Sequence, residues 1–267
     1  MTNIHHLLVG RTAVVTGGAR GIGLTVGERF AAEGATVLLA DIDGSTARSE
    51  ADRISRAAGT QGQVFGAEVD VTDSGSVSAL AHETVRTLGR VDVVVANAGI
   101  LHLAPAVDTD LEAWRRVLDV NLTGAFLTAR EFGRLMIEQG EGGRVIMSSS
   151  LFGLRGGLDN AAYSATKFGM VGLAQCLAAE WAPHGILVNS VCPGQVDTAM
   201  MRQLFADRAA ARGTSEAAVA SELLARVPLG RLADPVEIAD LYVFLASDLS
   251  RYVTGQALVG DGGWLVS

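Results

Sequence analysis

Short runs of β-branched and other apolar residues alternate along the chain with longer stretches whose apolar positions recur every three or four residues. The runs fall at 12–16, 36–40, 64–67, 91–96, 144–148, 186–191 and 257–259. They are apolar almost throughout, the pattern of strands covered on both faces. The stretches 22–33, 45–58, 74–88, 111–138, 161–181 and 236–247 have helical periodicity. Strand–helix alternation of this kind predicts an α/β fold, a doubly wound parallel sheet in three αβα layers. No linker, repeat or low-complexity segment interrupts the pattern, so residues 1–267 read as one domain. The Ala-rich segment 198–226 follows the sixth strand and reads as a small helical insertion. Ligands of open α/β sheets bind beyond the carboxyl ends of the strands, so this segment is expected to form a lid.

Composition narrows the class. Apolar residues make up 49% of the chain and charged residues 19%, enough for a large core, which excludes disorder. The 21 basic and 29 acidic residues leave a net charge of −8, a poor match to nucleic acid or an anionic membrane. The two cysteines, Cys176 and Cys192, form no C-x-x-C pair, as expected of a reducing compartment. The first ten residues lack a basic start and a long apolar stretch, so no signal peptide is read, and no run approaches the ~18 residues of a membrane span. The expectation is a cytoplasmic protein. The five histidines are scattered, and no metal site is read.

After the first strand comes Thr16-Gly17-Gly18-Ala19-Arg20-Gly21-Ile22-Gly23. A strand that ends in glycines and passes into a helix lets backbone approach a pyrophosphate and aims free N–H groups at it. The turn therefore predicts a Rossmann-type dinucleotide site built on Gly17, Arg20, Gly21, Ile22 and Gly23. Asp41, with Ile42 after it, ends the second strand, 18 residues past Gly23, where a carboxylate accepts hydrogen bonds from ribose hydroxyls. Such a carboxylate repels a 2′-phosphate, so NAD is expected and NADP is less favoured; Arg20 is the counterweight. Asp70 and Val71 end the third strand and Asn97-Ala98-Gly99 the fourth, both facing the same crevice.

Tyr163 and Lys167 lie four apart at the start of a helix and share one face. An ammonium near a phenol favours the phenolate and would make Tyr163 a base near neutral pH. Of the 21 basic residues, Lys167 is the single lysine and the rest are arginine. A compact ammonium at this one place suggests a task that a planar guanidinium does not perform. Ser149 and Ser150, after the fifth strand, could each hold the oxygen of a carbonyl or alcohol.

Together these residues resemble the classical short-chain dehydrogenase/reductase family, from Thr12 to about Trp264. The motifs are residues 16–23, Asp70, Asn97-Ala98-Gly99, Asn121 within Val120-Asn121-Leu122-Thr123, Ser150, Tyr163 with Lys167, and Pro193-Gly194 with Thr198. The resemblance selects Ser150, 13 residues before Tyr163, over Ser148 and Ser149. It implies that Ser150 orients the substrate oxygen and Tyr163 is the general acid or base. Lys167 would lower the Tyr163 pKa and hold the nicotinamide ribose, and Asn121 would support a proton relay. Pro193, Gly194, Val196 and Thr198 would complete the cofactor site. It also implies a homotetramer, for which the apolar end Gly262-Gly263-Trp264-Leu265-Val266 is a local cue.

The expected substrate wall includes His102 and Leu103, Leu151, Phe152 and Leu154, Asp159 and Asn160, and lid residues Met200, Met201, Leu204 and Phe205. It is mostly apolar with a few polar groups, and the expected substrate is a small secondary alcohol, polyol, cyclic alcohol or steroid-like molecule. A 3-oxoacyl-[acyl-carrier-protein] reductase is the alternative, weakened by Asp41, by the negative charge and by Ala179, where only Arg134 is basic. A dinucleotide-binding regulator or scaffold is the alternative outside enzymes; it would need none of the Asn121, Ser150, Tyr163, Lys167 set.

Overall fold

The computed structural model describes residues 6–57 and 62–267. Seven strands form one parallel sheet: β1 (Thr12–Thr16), β2 (Thr36–Asp41), β3 (Val64–Glu68), β4 (Val93–Ala96), β5 (Gly143–Ser148), β6 (Ile186–Pro193) and β7 (Ala257–Gly260). Their order is β3-β2-β1-β4-β5-β6-β7. Strand β1 pairs on one side with β2, Thr12 opposite Thr36, and on the other with β4, Ala13 opposite Val93. Strand order therefore reverses between β1 and β4, and a crevice opens beyond their carboxyl ends.

Alternate side chains of each strand enter opposite layers. Ala13 and Val15 of β1 pack with α1 (Gly21–Ala32), α2 (Gly44–Arg56) and α9 (Pro235–Ala246). Val14 packs on the other face with α3 (Ser74–Leu88), α5 (Gly124–Gln139) and α6 (Ala161–Trp181). Burial on both faces explains why the strands read as continuous apolar runs.

Two predicted elements differ in the structure in ways that bear on the site. The stretch 111–138 is not one helix: α4 (Leu111–Leu118) passes through a π-turn (Asp119–Thr123) into α5. Apolar periodicity continues across the turn, so the pattern conceals it. Strand β4 begins at Val93, not 91, because the buried Asp92 carboxylate takes the Thr12 N–H at 2.8 Å in place of a backbone carbonyl. The predicted end of the second helix, Ala58, lies outside the described residues, as do the first five residues.

The segment after β6 folds as two helices, α7 (Ala199–Arg212) and α8 (Glu216–Leu224). They form a third apolar cluster with Leu151 and Trp264. Trp264 is thus buried by its own chain, which removes its indole as a cue for a subunit contact. Val266 stays exposed. No helix among the described residues is long and apolar enough to cross a membrane.

Candidate active site

The glycine turn is built as a cradle. Gly17 and Gly21 have φ of 64° and 56°, the left-handed region that disfavours side chains. A Cβ on Gly23 would stand 2.2 Å from Gly17 O, so the helix could not seat so close to the turn. Arg20 precedes α1 without a side-chain cap, and among the described residues the backbone N–H groups of Ile22 and Gly23 meet no acceptor. Uncapped donors at a helix start suit an anionic group such as pyrophosphate. Asn97 has a role the sequence did not disclose. Its Nδ2 donates to Thr16 O at 3.0 Å and Gly17 O at 3.1 Å, fixing the turn to the end of β4.

Asp41 is buried at the end of β2 and accepts from Ala19 N at 3.1 Å and Asp43 N at 3.0 Å. Ile42 beside it is exposed. Arg20 is not free: its guanidinium lies 3.2 Å from Asp43. Hydrogen bonds from Thr46 and Ser45, helped by Arg20, hold the Asp43 carboxyl down to about 2. Asp70 accepts from Thr72 N and Oγ1 through one carboxylate oxygen, and Val71 packs on Gly124.

Helix α6 brings Tyr163 and Lys167 to the ends of β4 and β5. Lys167 is buried, and its Nζ donates to Ser148 O at 2.7 Å and lies 3.6 Å from Met170 Sδ. Burial pushes its pKa down to about 8. The Nζ stands over the Tyr163 ring, 5.4 Å from its centre. Tyr163 therefore departs from the sequence expectation: burial of the phenol raises its pKa, with Ser150 pulling it down and Cys192 adding to the rise. In the protein alone the phenol keeps its proton at neutral pH.

The three consecutive serines divide their work. Ser148 Oγ accepts from Tyr242 Oη at 2.7 Å, and Ser149 Oγ donates to Lys167 O at 2.8 Å. Ser150 alone faces the phenol, while its oxygen accepts from Phe152 N at 3.2 Å. Asn121 sits in the π-turn, where π geometry often marks function. Its Oδ1 accepts from Ile100 N at 2.8 Å, and its Nδ2 donates to Ile100 O and to Thr166 Oγ1. Gly99 makes room: a Cβ there would come within 3.3 Å of Asn121 Oδ1 and 3.6 Å of Lys167 Nζ. Asn121, Lys167 and Gly99 thus converge.

Other predicted residues have the following places in the fold. Asn160 is buried, and its Oδ1 accepts from Ser164 Oγ at 2.6 Å, so that oxygen is engaged within α6 rather than offered to a pocket. Phe205 packs inward with Leu151 and Trp264, while Met200 is exposed and Phe152 and His102 are half-buried. Gly194 is small because Asp261 Cα would lie 2.6 Å from its Cβ. Thr198 caps α7, accepting from Met201 N at 3.3 Å, and Val196 is buried beyond Pro193. Among the described residues no group of three His, Cys, Asp or Glu could hold a metal.

A family model described as enoyl-(acyl carrier protein) reductase matches residues 17–265. A cis-4-hydroxycyclohexanecarboxylate dehydrogenase from Sinomonas cyclohexanicum is 39% identical over 95% of this chain and 96% of its own. The chain belongs to the short-chain dehydrogenase/reductase family. A 3-oxoacyl-[acyl-carrier-protein] reductase from Aquifex aeolicus shares 34% identity over 96% of this chain and 98% of its own. The crystal structure of sorbitol-6-phosphate 2-dehydrogenase from Erwinia amylovora superposes with a TM-score of 0.90 at 38% identity, covering 94% and 98% of the two chains. The seven-stranded sheet is the fold of this short-chain dehydrogenase/reductase.

The buried lysine makes a signed prediction. With its pKa near 8, below the usual lysine value, the unfolded chain binds the extra proton more tightly than the native one. Native stability should therefore carry a full penalty below pH 8 and recover as pH rises toward 10. Lys167→Met, without nucleotide, should be more stable than the parent by about 1–3 kcal/mol at pH 7. The gain should shrink between about pH 8 and pH 10. Urea unfolding at several pH values checks this; a pH-independent loss of stability would contradict the burial penalty.

Proposed function

We propose that this short-chain oxidoreductase transfers a hydride between NAD(H) and a small secondary alcohol or its ketone. The substrate would be a cyclic alcohol, polyol or steroid-like molecule. What carries the reading is the convergence of Ser150, Tyr163 and Lys167, with Asn121 and Gly99 against the same ammonium, beyond an uncapped glycine turn. The dinucleotide, when bound, supplies or accepts the hydride.

The turn residues Gly17, Gly21, Ile22 and Gly23 would hold its pyrophosphate through backbone donors. Asp41 would take the ribose hydroxyls on its remaining lone pairs, with Ile42, Asp70 and Val71 bordering the adenine. Asn97, Ala98 and Gly99, together with the Pro193–Thr198 segment, would border the nicotinamide. NAD is favoured because Asp41 and the ionised Asp43 together repel a 2′-phosphate, and Arg20 is already engaged by Asp43.

Ser150 Oγ holds the substrate oxygen. Tyr163 Oη gives a proton to that oxygen as a ketone is reduced and removes one as an alcohol is oxidised. Lys167 supplies the cation that stabilises the phenolate, and Asn121 keeps the ammonium's surroundings fixed. The α7–α8 hairpin closes over the crevice as a lid. A cytoplasmic homotetramer belongs to the same reading.

The similarity to the Aquifex reductase favours a second substrate class, acyl thioesters on a carrier protein. The matching basic surface is weak: Arg134 is 2.9 Å from Glu131, which also binds Arg130, and Ala179 adds no charge. A screen of secondary alcohols, polyols, ketones and acyl thioesters, read by nicotinamide absorbance with NAD and NADP in parallel, separates the classes.

Tyr163→Phe should retain NADH binding by fluorescence and lose about 10²–10⁴-fold in turnover. In the parent, kcat/KM for alcohol oxidation should rise with pH and that for ketone reduction should fall, because one direction needs the phenolate and the other the phenol. Wild-type turnover in the variant would remove Tyr163 from the proposal. Asp41→Ala should narrow the NAD-to-NADP ratio of kcat/KM by about tenfold or more; an unchanged ratio would take cofactor choice away from Asp41.

A further inference from the structure

A cavity of about 40 Å³ lies between α7, α8 and the C-terminal turn, apart from the crevice. On the same measure a water occupies roughly 10–15 Å³, so the space admits a few waters or one oxyanion group, not a whole substrate. Its walls are cationic. Arg208 and Arg212 reach it from α7, and Arg226 reaches it from beyond α8. One carboxylate, Glu222, shares the lining, and it is 2.8 Å from Arg212. Among the described residues, Arg208 and Arg226 have no ion pair or side-chain hydrogen bond. The Arg226 guanidinium lies over Trp264, 4.3 Å from the ring, a stack that leaves its N–H edge free. Burial disfavours the charge on Arg208 and Arg212 adds repulsion, with Asp159 and Glu222 pulling the other way. Three cations facing one carboxylate are unusual in a chain of net charge −8.

We propose that this cavity binds a phosphate-type oxyanion, free or carried as a monoester, and that the anion ties α7 to the segment after α8. Forked guanidinium donors match such an oxygen cluster, and two of the three lack an acceptor among the described residues. Bridging Arg208 to Arg226 joins both arms of the hairpin to Trp264, which shares its apolar cluster with Leu151, next to Ser150. The anion therefore orders the hairpin beside the crevice without entering it. The inference does not depend on the proposed reaction.

The test is thermal melting and limited trypsin digestion of the full chain saturated with NAD, so that the glycine turn is filled; the shift caused by NAD alone is read first. Sodium phosphate and glycerol phosphate are titrated separately against sodium chloride of equal ionic strength. Wild type should gain about 3 °C, saturating, and lose trypsin cleavage in the hairpin severalfold. Arg208→Gln and Arg226→Gln should lose both effects, and Arg56→Gln, on α2, should keep them. A shift with both compounds assigns the phosphate group itself, and one with the ester alone assigns a carried group. No phosphate-specific shift in wild type, or the same shift in both cavity variants, overturns the proposal.

Discussion

Placing an ammonium inside a protein costs several kcal/mol unless fixed acceptors replace its water. Around Lys167 that replacement is partial: the carbonyl of Ser148 at 2.7 Å and the polarisable sulfur of Met170. The shortfall appears in the depressed pKa near 8. Much of the neighbourhood is arranged around this side chain. Ser149 grips the Lys167 carbonyl, Tyr242 grips the Ser148 hydroxyl, and Gly99 leaves space beside the Nζ. Through these contacts β4, β5, α6 and α9 meet at one point. A guanidinium is longer and planar, and it could not occupy the same niche between a carbonyl and a thioether.

The same arrangement explains why one serine faces the phenol and its two neighbours do not. Residues of a strand alternate between faces, and beyond β5 the chain enters a short helical turn. Ser148 points toward α9, where Tyr242 needs a partner for a fully buried hydroxyl. Ser149 points toward α6. Ser150 is left at the crevice, held by the Phe152 amide with its proton free to donate.

The alternation of apolar runs with helical stretches carries the fold, because strands covered on both faces have little latitude in composition. Glycine spacing, the Tyr163–Lys167 interval and the isolated lysine carry the centre of the site. What escapes such reading depends on partners far away in sequence. The sequence does not disclose that Asn97 rivets the glycine turn or that Asn160 braces Ser164. The π-turn holding Asn121 inserts no break in periodicity, so only hydrogen-bond geometry reveals it. Trp264 looks like an interface residue because its covering helices lie some fifty residues upstream. Tyr242 carries a faint signal, a phenol within the mostly apolar run 241–246.

The ionisation of Tyr163 is where sequence logic and three-dimensional chemistry part most usefully. Spacing alone suggests a lysine beside the phenolic oxygen. In the folded chain the ammonium stands over the ring and engages a backbone carbonyl, and burial keeps the phenol protonated. In the proposed reaction the free protein would therefore offer a carbonyl a proton donor before it offers an alcohol a base. Additional positive charge near the hydroxyl favours the phenolate alongside Lys167, and in the proposed reaction the oxidised form of a nicotinamide ring would add that charge. Under the proposed reaction, a phenol buried in this way would link proton abstraction to cofactor occupancy through electrostatics.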